Sequence, residues 1–502
     1  MHRAVYGLAE NPAPAADLVD RMIAAADDEL AEELACPQES TRAQVVALSR
    51  FDGGAVRLAH DGRIAVDDVD PDARPQVALA LLEERSGRPE WARRLAADAH
   101  VEHRERLAAC PDLPEDVVQT LAADREARVV AELALWAQSD VAAQLARHPH
   151  ADVRQAVATN EATPPVVLTA LLTGNGLPPA RSCVVCEREA TPFAHDPDCD
   201  RPDCTLPPGA SCDGSHESTV LVTQQMALGN PSTPADAVVA FVSHPSMLLR
   251  CEVAARTDLP SQVYAQLAED SIPWVRSTLA ENPAIGDGLI RVLAADRGYD
   301  VQHRLAHHPR VPLDVLDRLA DVTRIGPTSL PRIASATPRE VEELAVSTNP
   351  NMRMLLAHRR DLPAPIRDAL AADSDAKVVR SIAPHPGLSE AQLRAIVAQH
   401  GARVAAGVAA DPDASPELLA DLAGHEPPVQ KVFREVARHR NATAPALLAC
   451  LADHRARPIA ARHSALPPSV IAELLDDENW QVAAAAAANP SLPRAAMSRL
   501  VR

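Results

Sequence analysis

Apolar positions recur along this chain as pairs of short blocks. From residue 256, Val263, Leu267 and Ala268 fall at i, i+4 and i+5, on one face of a helix. A polar turn around Asp270 follows. A second apolar block opens at Val275, with counterparts at Val301, Val379 and Val482, and runs to the next proline step. The steps themselves are periodic. Asn230-Pro231, Arg256-Thr257, Asn282-Pro283 and His308-Pro309 stand 26 residues apart. The register returns at Arg359-Arg360, His385-Pro386, Asp411-Pro412 and Asn489-Pro490, and towards the N-terminus at Asn11-Pro12, Cys110-Pro111 and Asn160-Glu161.

A fixed period over most of a chain predicts repeats that stack on their neighbours. The second proline of each unit (Pro114, Pro164, Pro234, Pro260, Pro312, Pro363, Pro493) is expected at the first position of the first helix, where its missing N–H costs nothing. The Asn-Pro or His-Pro step should stop the second helix, which we expect to be partly 3-10. The pattern predicts an all-α chain of about a dozen such units, several of them degenerate. Val275, Val301, Val379 and Val482 should be buried at equivalent depth.

The step Leu279-Ala280-Glu281-Asn282-Pro283, followed by Leu-Ala-x-Asp as at Asp270 and by Val275-Arg276, resembles the bacterial leucine-rich repeat variant family. The resemblance covers roughly 1–170 and 227–502. It implies a right-handed α-solenoid of alternating α and 3-10 helices. Some members of that family carry an iron–sulfur module ahead of the repeats. Here a cysteine-rich module lies inside the array and its spacing differs. The expected organisation is helical repeats over 1–171, a Cys/His-rich insert over 172–226, and a second helical array over 227–502.

The insert holds five of the nine cysteines. Its candidate ligands are Cys183, Cys186, His195, Cys199, Cys204, Cys212 and His216. The surrounding residues are Pro-, Gly- and Asp-rich and cannot build an apolar core, so bound metal would have to supply the folding energy. Cys183-x2-Cys186-x8-His195-x3-Cys199 is a complete tetrahedral set for structural zinc. Cys204, Cys212 and His216 would contribute to a second site, with Asp203, Asp213 or a water as fourth ligand. The pentapeptide Cys212-Asp213-Gly214-Ser215-His216 is similar to the core of the CDGSH iron–sulfur domain. That resemblance implies a cluster on Cys199, Cys204, Cys212 and His216. The family's other two cysteines stand one residue apart, where this chain has Arg201 and Asp203. Zinc is the preferred reading and an iron–sulfur cluster the alternative. Disulfides fit poorly with a chain read as cytoplasmic. The segment is also acidic, which opposes a reactive thiolate pair.

Net charge is −20, and aromatics make up 2% of residues. The first disfavours general nucleic-acid or anionic-membrane binding. The second disfavours a large ligand pocket. One basic stretch, 431–463, carries Lys431, Arg434, Arg438, Arg440, Arg455, Arg457 and Arg462 and keeps a nucleic-acid role as a further alternative. No phosphate-binding glycine loop, nucleophile elbow or dinucleotide fingerprint is present, so no catalytic residue is assigned. His308 and His385 replace asparagine at the step and are expected to close helix ends. His100, Glu102 and His103 lack zinc-protease spacing and read as a solvated face. The apolar runs are too short to span a bilayer. These features predict a cytoplasmic, non-enzymatic scaffold for protein partners with a metal-binding insert.

Overall fold

The structure, a computed structural model, describes residues 2–36, 40–178, 180–184, 217–326 and 328–501. Among these residues the regular elements are α-helices and one 3-10 turn, Val66–Asp68, and extended pairing is confined to a bridge between His150 and Ser182. The chain forms two compact units. One comprises Leu58–His308; the other joins Met1–Arg57 to Pro309–Arg502.

Each repeat is a helix pair, for example Ser261–Ala268 and Pro273–Glu281. The second helix is α rather than partly 3-10. At seven to ten residues in Pro350–Leu356, Pro273–Glu281 and Ala127–Trp136, it is long enough to close i→i−4 bonds. The second proline sits one residue earlier than expected. Pro260 is the N-cap, extended at φ −58° and ψ 144°, and its carbonyl accepts from the Val263 N–H at 2.9 Å. The same placement holds for Pro114, Pro164, Pro312, Pro363 and Pro493. Val275, Val301, Val379 and Val482 are all fully buried, at one register between neighbouring second helices.

At most steps the step residue fastens its repeat to the one before it; at Cys110 the thiol instead reaches the Arg106 carbonyl of its own helix at 3.6 Å. The Asn282 amide nitrogen donates to the carbonyls of Ala254 and Arg256 at 2.7 and 2.6 Å. Its Oδ1 accepts the N–H of Ala284, which makes the turn. Asn160 and Asn230 bond in the same way, to Ala134 and Ala137 and to Ala158 and Asn160. Arg256 reaches Leu228, Asn230 and Thr233, and Arg359 reaches Ile333 and Ala336. His308 places Nε2 2.9 Å from the Asn282 carbonyl, and His439 and His463 place theirs 2.7 and 3.0 Å from the carbonyls of Asp411 and His439. The histidines at these steps therefore bridge successive repeats, a larger role than closing their own helices. What the position requires is a buried donor, because the carbonyls at the end of each second helix have no water to bond.

Two successive rungs depart from this rule. The His385 ring turns its Nδ1 to its neighbour's Pro386 carbonyl, leaving Nε2 buried and unpartnered. Asp411 holds the asparagine geometry, with Oδ1 accepting from the Asp413 N–H at 2.7 Å, yet its Oδ2 is buried and unpartnered. An ionised carboxylate has no proton to give to a carbonyl.

Within the unit that contains both chain ends, the N-terminal helices extend the C-terminal row. The helix His2–Ala9 packs on Trp480–Ala487 and then on Asp28–Ala35. Asn11 makes the next rung after Asn489, donating to the Ala487 and Asn489 carbonyls at 2.8 and 2.7 Å. Arg494 pairs with Asp17, Arg462 pairs with Glu10, and Arg21 caps the carbonyls of Ser498 and Val501. Gly7 lets the two helices meet, since a Cβ there would lie 2.1 Å from the Ala484 carbonyl oxygen.

Candidate interaction face and metal-binding segment

The second helices carry a recurring clamp. Arg276 donates through one nitrogen to the Asp270 carbonyl of its own repeat at 2.6 Å, and grips Asp296 of the next repeat at 2.6 and 3.1 Å. Arg250 with Asp270 and Arg104 with Asp124 repeat this at the same 20-residue spacing, as does Arg353 with Asp373 in the other unit. The Arg276 guanidinium holds the Asp296 carboxyl below the usual range. The second helices that carry Arg104, Arg250, Arg276 and Arg353 are thereby tied to the turn of the next repeat.

The second helices bear an exposed apolar stripe across consecutive repeats of the Leu58–His308 unit. Val222, Leu248 and Trp274 are 26 residues apart and 38%, 48% and 50% exposed. Met247 and Tyr299 flank them at the adjacent register position and are exposed as well. Val222 lies in the helix Glu217–Gly229, and the others open the helices Met247–Ala255, Pro273–Glu281 and Tyr299–Ala306, which pack side by side. Arg304 stacks over the Trp274 ring at 5.0 Å and pairs with Glu281 at 2.7 Å; Tyr299 stacks on His303. An aligned apolar stripe held by rigid clamps suits docking of another surface. It was missed in the sequence because Val, Leu and Met at these positions look like core. Alignment of Val222, Leu248 and Trp274 at the 26-residue period would have marked it.

Of the seven candidate metal ligands, Cys183 is within the described residues. Cys186, His195, Cys199, Cys204, Cys212 and His216 lie outside them. Cys183 is fully buried, in a small cluster with Ala151 and Ala180. The segment leading to it is tied to the start of the helix Ala151–Thr159. Arg181 N–H donates to the Pro149 carbonyl at 2.7 Å, Ala151 N–H to the Ser182 carbonyl at 2.9 Å, and Val184 N–H to the Asp152 carboxylate at 2.8 Å. Arg154 holds the Pro178 carbonyl at 2.7 Å.

Cys110 and Cys450 are buried packing residues, and burial pushes their thiols up to about 12, far from reactive thiolates. In the basic stretch, Arg438, Arg457 and Arg462 face Glu435, Asp477 and Glu10, which offsets much of its local positive excess. No helix among the described residues is long and apolar enough to cross a membrane.

No family model and no curated protein matches the chain. Among solved structures it is similar to the crystal structure of an engineered protein, at 14% identity over 94% of this chain and 97% of that one, with a TM-score of 0.18. It is also similar to a chain in the structure of the Pds5–Scc1 complex, at 12% identity over 96% and 68%, with a TM-score of 0.15. Neither superposes closely on this chain.

Proposed function

We propose that this helical-repeat protein is a non-enzymatic scaffold that binds a protein partner along the stripe Val222, Met247, Leu248, Trp274 and Tyr299, and that its repeats form a right-handed α-solenoid. The observation that carries the reading is the alignment of exposed apolar side chains across four successive second helices, in a chain with few aromatics to spare. Of its four tryptophans Trp136, Trp274 and Trp480 are exposed and Trp91 is buried. Aromatic anchors of this kind dominate interface energetics. Affinity capture from the native cell, with the parent chain and with Leu248→Glu and Trp274→Glu variants, tests it. A specific partner should be retained by the parent and lost from both variants while their helical content is unchanged. Removal of one such anchor is expected to cost about 2 kcal/mol, roughly thirtyfold in affinity. Equal capture by parent and variants would rule the stripe out.

The insert is proposed to bind zinc through Cys183, Cys186, His195 and Cys199, with Cys204, Cys212 and His216 in or beside a second site; an iron–sulfur cluster on the same residues is the alternative. Support comes from Cys183, whose thiol is buried on a segment pinned to a repeat helix, as a structural ligand needs. Elemental analysis of protein purified without oxygen or chelators should find stoichiometric zinc, or iron with a brown colour. Absence of both would refute the reading.

A further inference from the structure

We propose that Asp98, His100 and His103 form a binding site for a divalent transition metal such as zinc or cobalt, separate from the cysteine-rich insert. The site is visible as an exception to the repeat clamp. Asp124, Asp270 and Asp296 each take an arginine from 20 residues earlier: Arg104, Arg250 and Arg276. Twenty residues before Asp98 stands Ala78, which is buried and carries no charge.

Two imidazoles face the carboxylate in place of that arginine. His100 Nδ1 lies 3.0 Å from Oδ1, and His103 Nδ1 lies 3.0 Å from Oδ2. One donor atom from each residue falls within a 4.8 Å cluster. Donors around a tetrahedral zinc at its usual bond lengths stand about 3.3 Å apart, so the widest of the three separations has to close by up to about 1.5 Å, which the exposed His100 ring can supply by rotation. Two histidines and one carboxylate leave further positions for water or a fourth donor, and imidazole with carboxylate suits borderline cations.

The local charges permit a cation. The His100 backbone N–H donates to the Asp98 Oδ1 at 2.8 Å and fixes the carboxylate against the two rings. Arg104, the adjacent cation, directs two bonds to Asp124 at 2.6 and 3.1 Å and a third from Nη1 to the Asp98 backbone carbonyl at 2.8 Å, so its charge is shared with Asp124 and is a further reason for weak binding. The start of the helix Val101–Ala108 opposes a cation there, so binding should be weaker than at a closed four-ligand site.

Titration of the full-length chain with Co²⁺ under reducing conditions, followed by calorimetry and absorption, tests the proposal. Thiolate ligands announce themselves by a charge-transfer band in the near ultraviolet; the Asp98 site binds without one. The parent should show a thiolate-free class of one equivalent. His100→Ala and His103→Ala should each weaken that class by about tenfold or more, at least the loss that removal of an outer-shell partner brings. His100 is a clean probe because its side chain is 72% exposed. A thiolate-free class that is absent from the parent, or that survives both substitutions within twofold, overturns the proposal. The thiolate band reports the insert independently, so failure of one site is distinguishable from failure of the other.

Discussion

Gly7→Val is expected to destabilise the unit containing both chain ends by on the order of 3 kcal/mol, by overpacking a contact that cannot relax. An added Cβ would meet the Ala484 carbonyl oxygen at 2.1 Å and its Cα at 2.9 Å, and both are backbone atoms within a helix. The helix His2–Ala9 would have to move off Trp480–Ala487 as a body. That shift also draws Asn11 away from the Ala487 and Asn489 carbonyls and leaves those acceptors without their donor. Denaturant unfolding of the variant should therefore show an earlier transition. Gly62, where no atom lies within 4 Å of an added Cβ, is a poor control because its φ is +67°; Gly288 has open space and no such φ, and Gly288→Ala should leave the transition in place.

Asp411→Asn is expected to stabilise the same unit at neutral pH by about 1–3 kcal/mol, the range for relieving an unsatisfied buried polar group. The asparagine amide would stand where Oδ2 now stands. By the register of Asn282 and Asn489 it would donate to the carbonyls 28 and 26 residues back, those of Ala383 and His385. Burial raises the native Asp411 carboxyl above its ordinary value, and the neighbouring Asp413 charge adds to this. The Asp413 N–H and the rings of His439 and His385 act in the opposite direction without reversing it. A carboxyl with a raised native pKa binds its proton more tightly folded than unfolded. Its contribution is therefore full below the unfolded carboxylate range, falls as pH rises through the interval up to the native value, and stays lost above it. Urea unfolding against pH should show the stability gained by Asp411→Asn over the parent growing as pH rises through that interval. A variant that is less stable than the parent at neutral pH, or whose difference from the parent does not change with pH, would contradict this role for the rung.

The helical pairs were legible because proline and a four-residue apolar spacing survive in nearly every unit, and Val275, Val301, Val379 and Val482 fall where that spacing puts them. The ladder was only half legible. Asparagine, histidine and arginine share the step position and look chemically unrelated until the structure shows that each delivers a buried N–H to the preceding repeat. The continuation from Asn489 to Asn11 was hidden because linear order separates neighbours that the fold joins, although Asn11-Pro12 already carried the register. Asp98 was overlooked for a similar reason. The spacing of His100 and His103 does not match a helical zinc motif, because their partner lies in the turn before the helix. Six of the seven ligands expected in the insert fall outside the described residues, so that part of the sequence reading rests on spacing and on Cys183.

Side-chain donors at the step position join successive repeats, including the join from Asn489 on to Asn11. Amide hydrogen exchange across residues 2–11 of the full-length parent tests it most directly. An isolated helix of eight residues does not persist in water. Protection in His2–Ala9 comparable to that in Trp480–Ala487, and lost in Gly7→Val, is the result the docked ladder predicts. Exchange of residues 2–11 at the rate of an unstructured chain in the parent would contradict it.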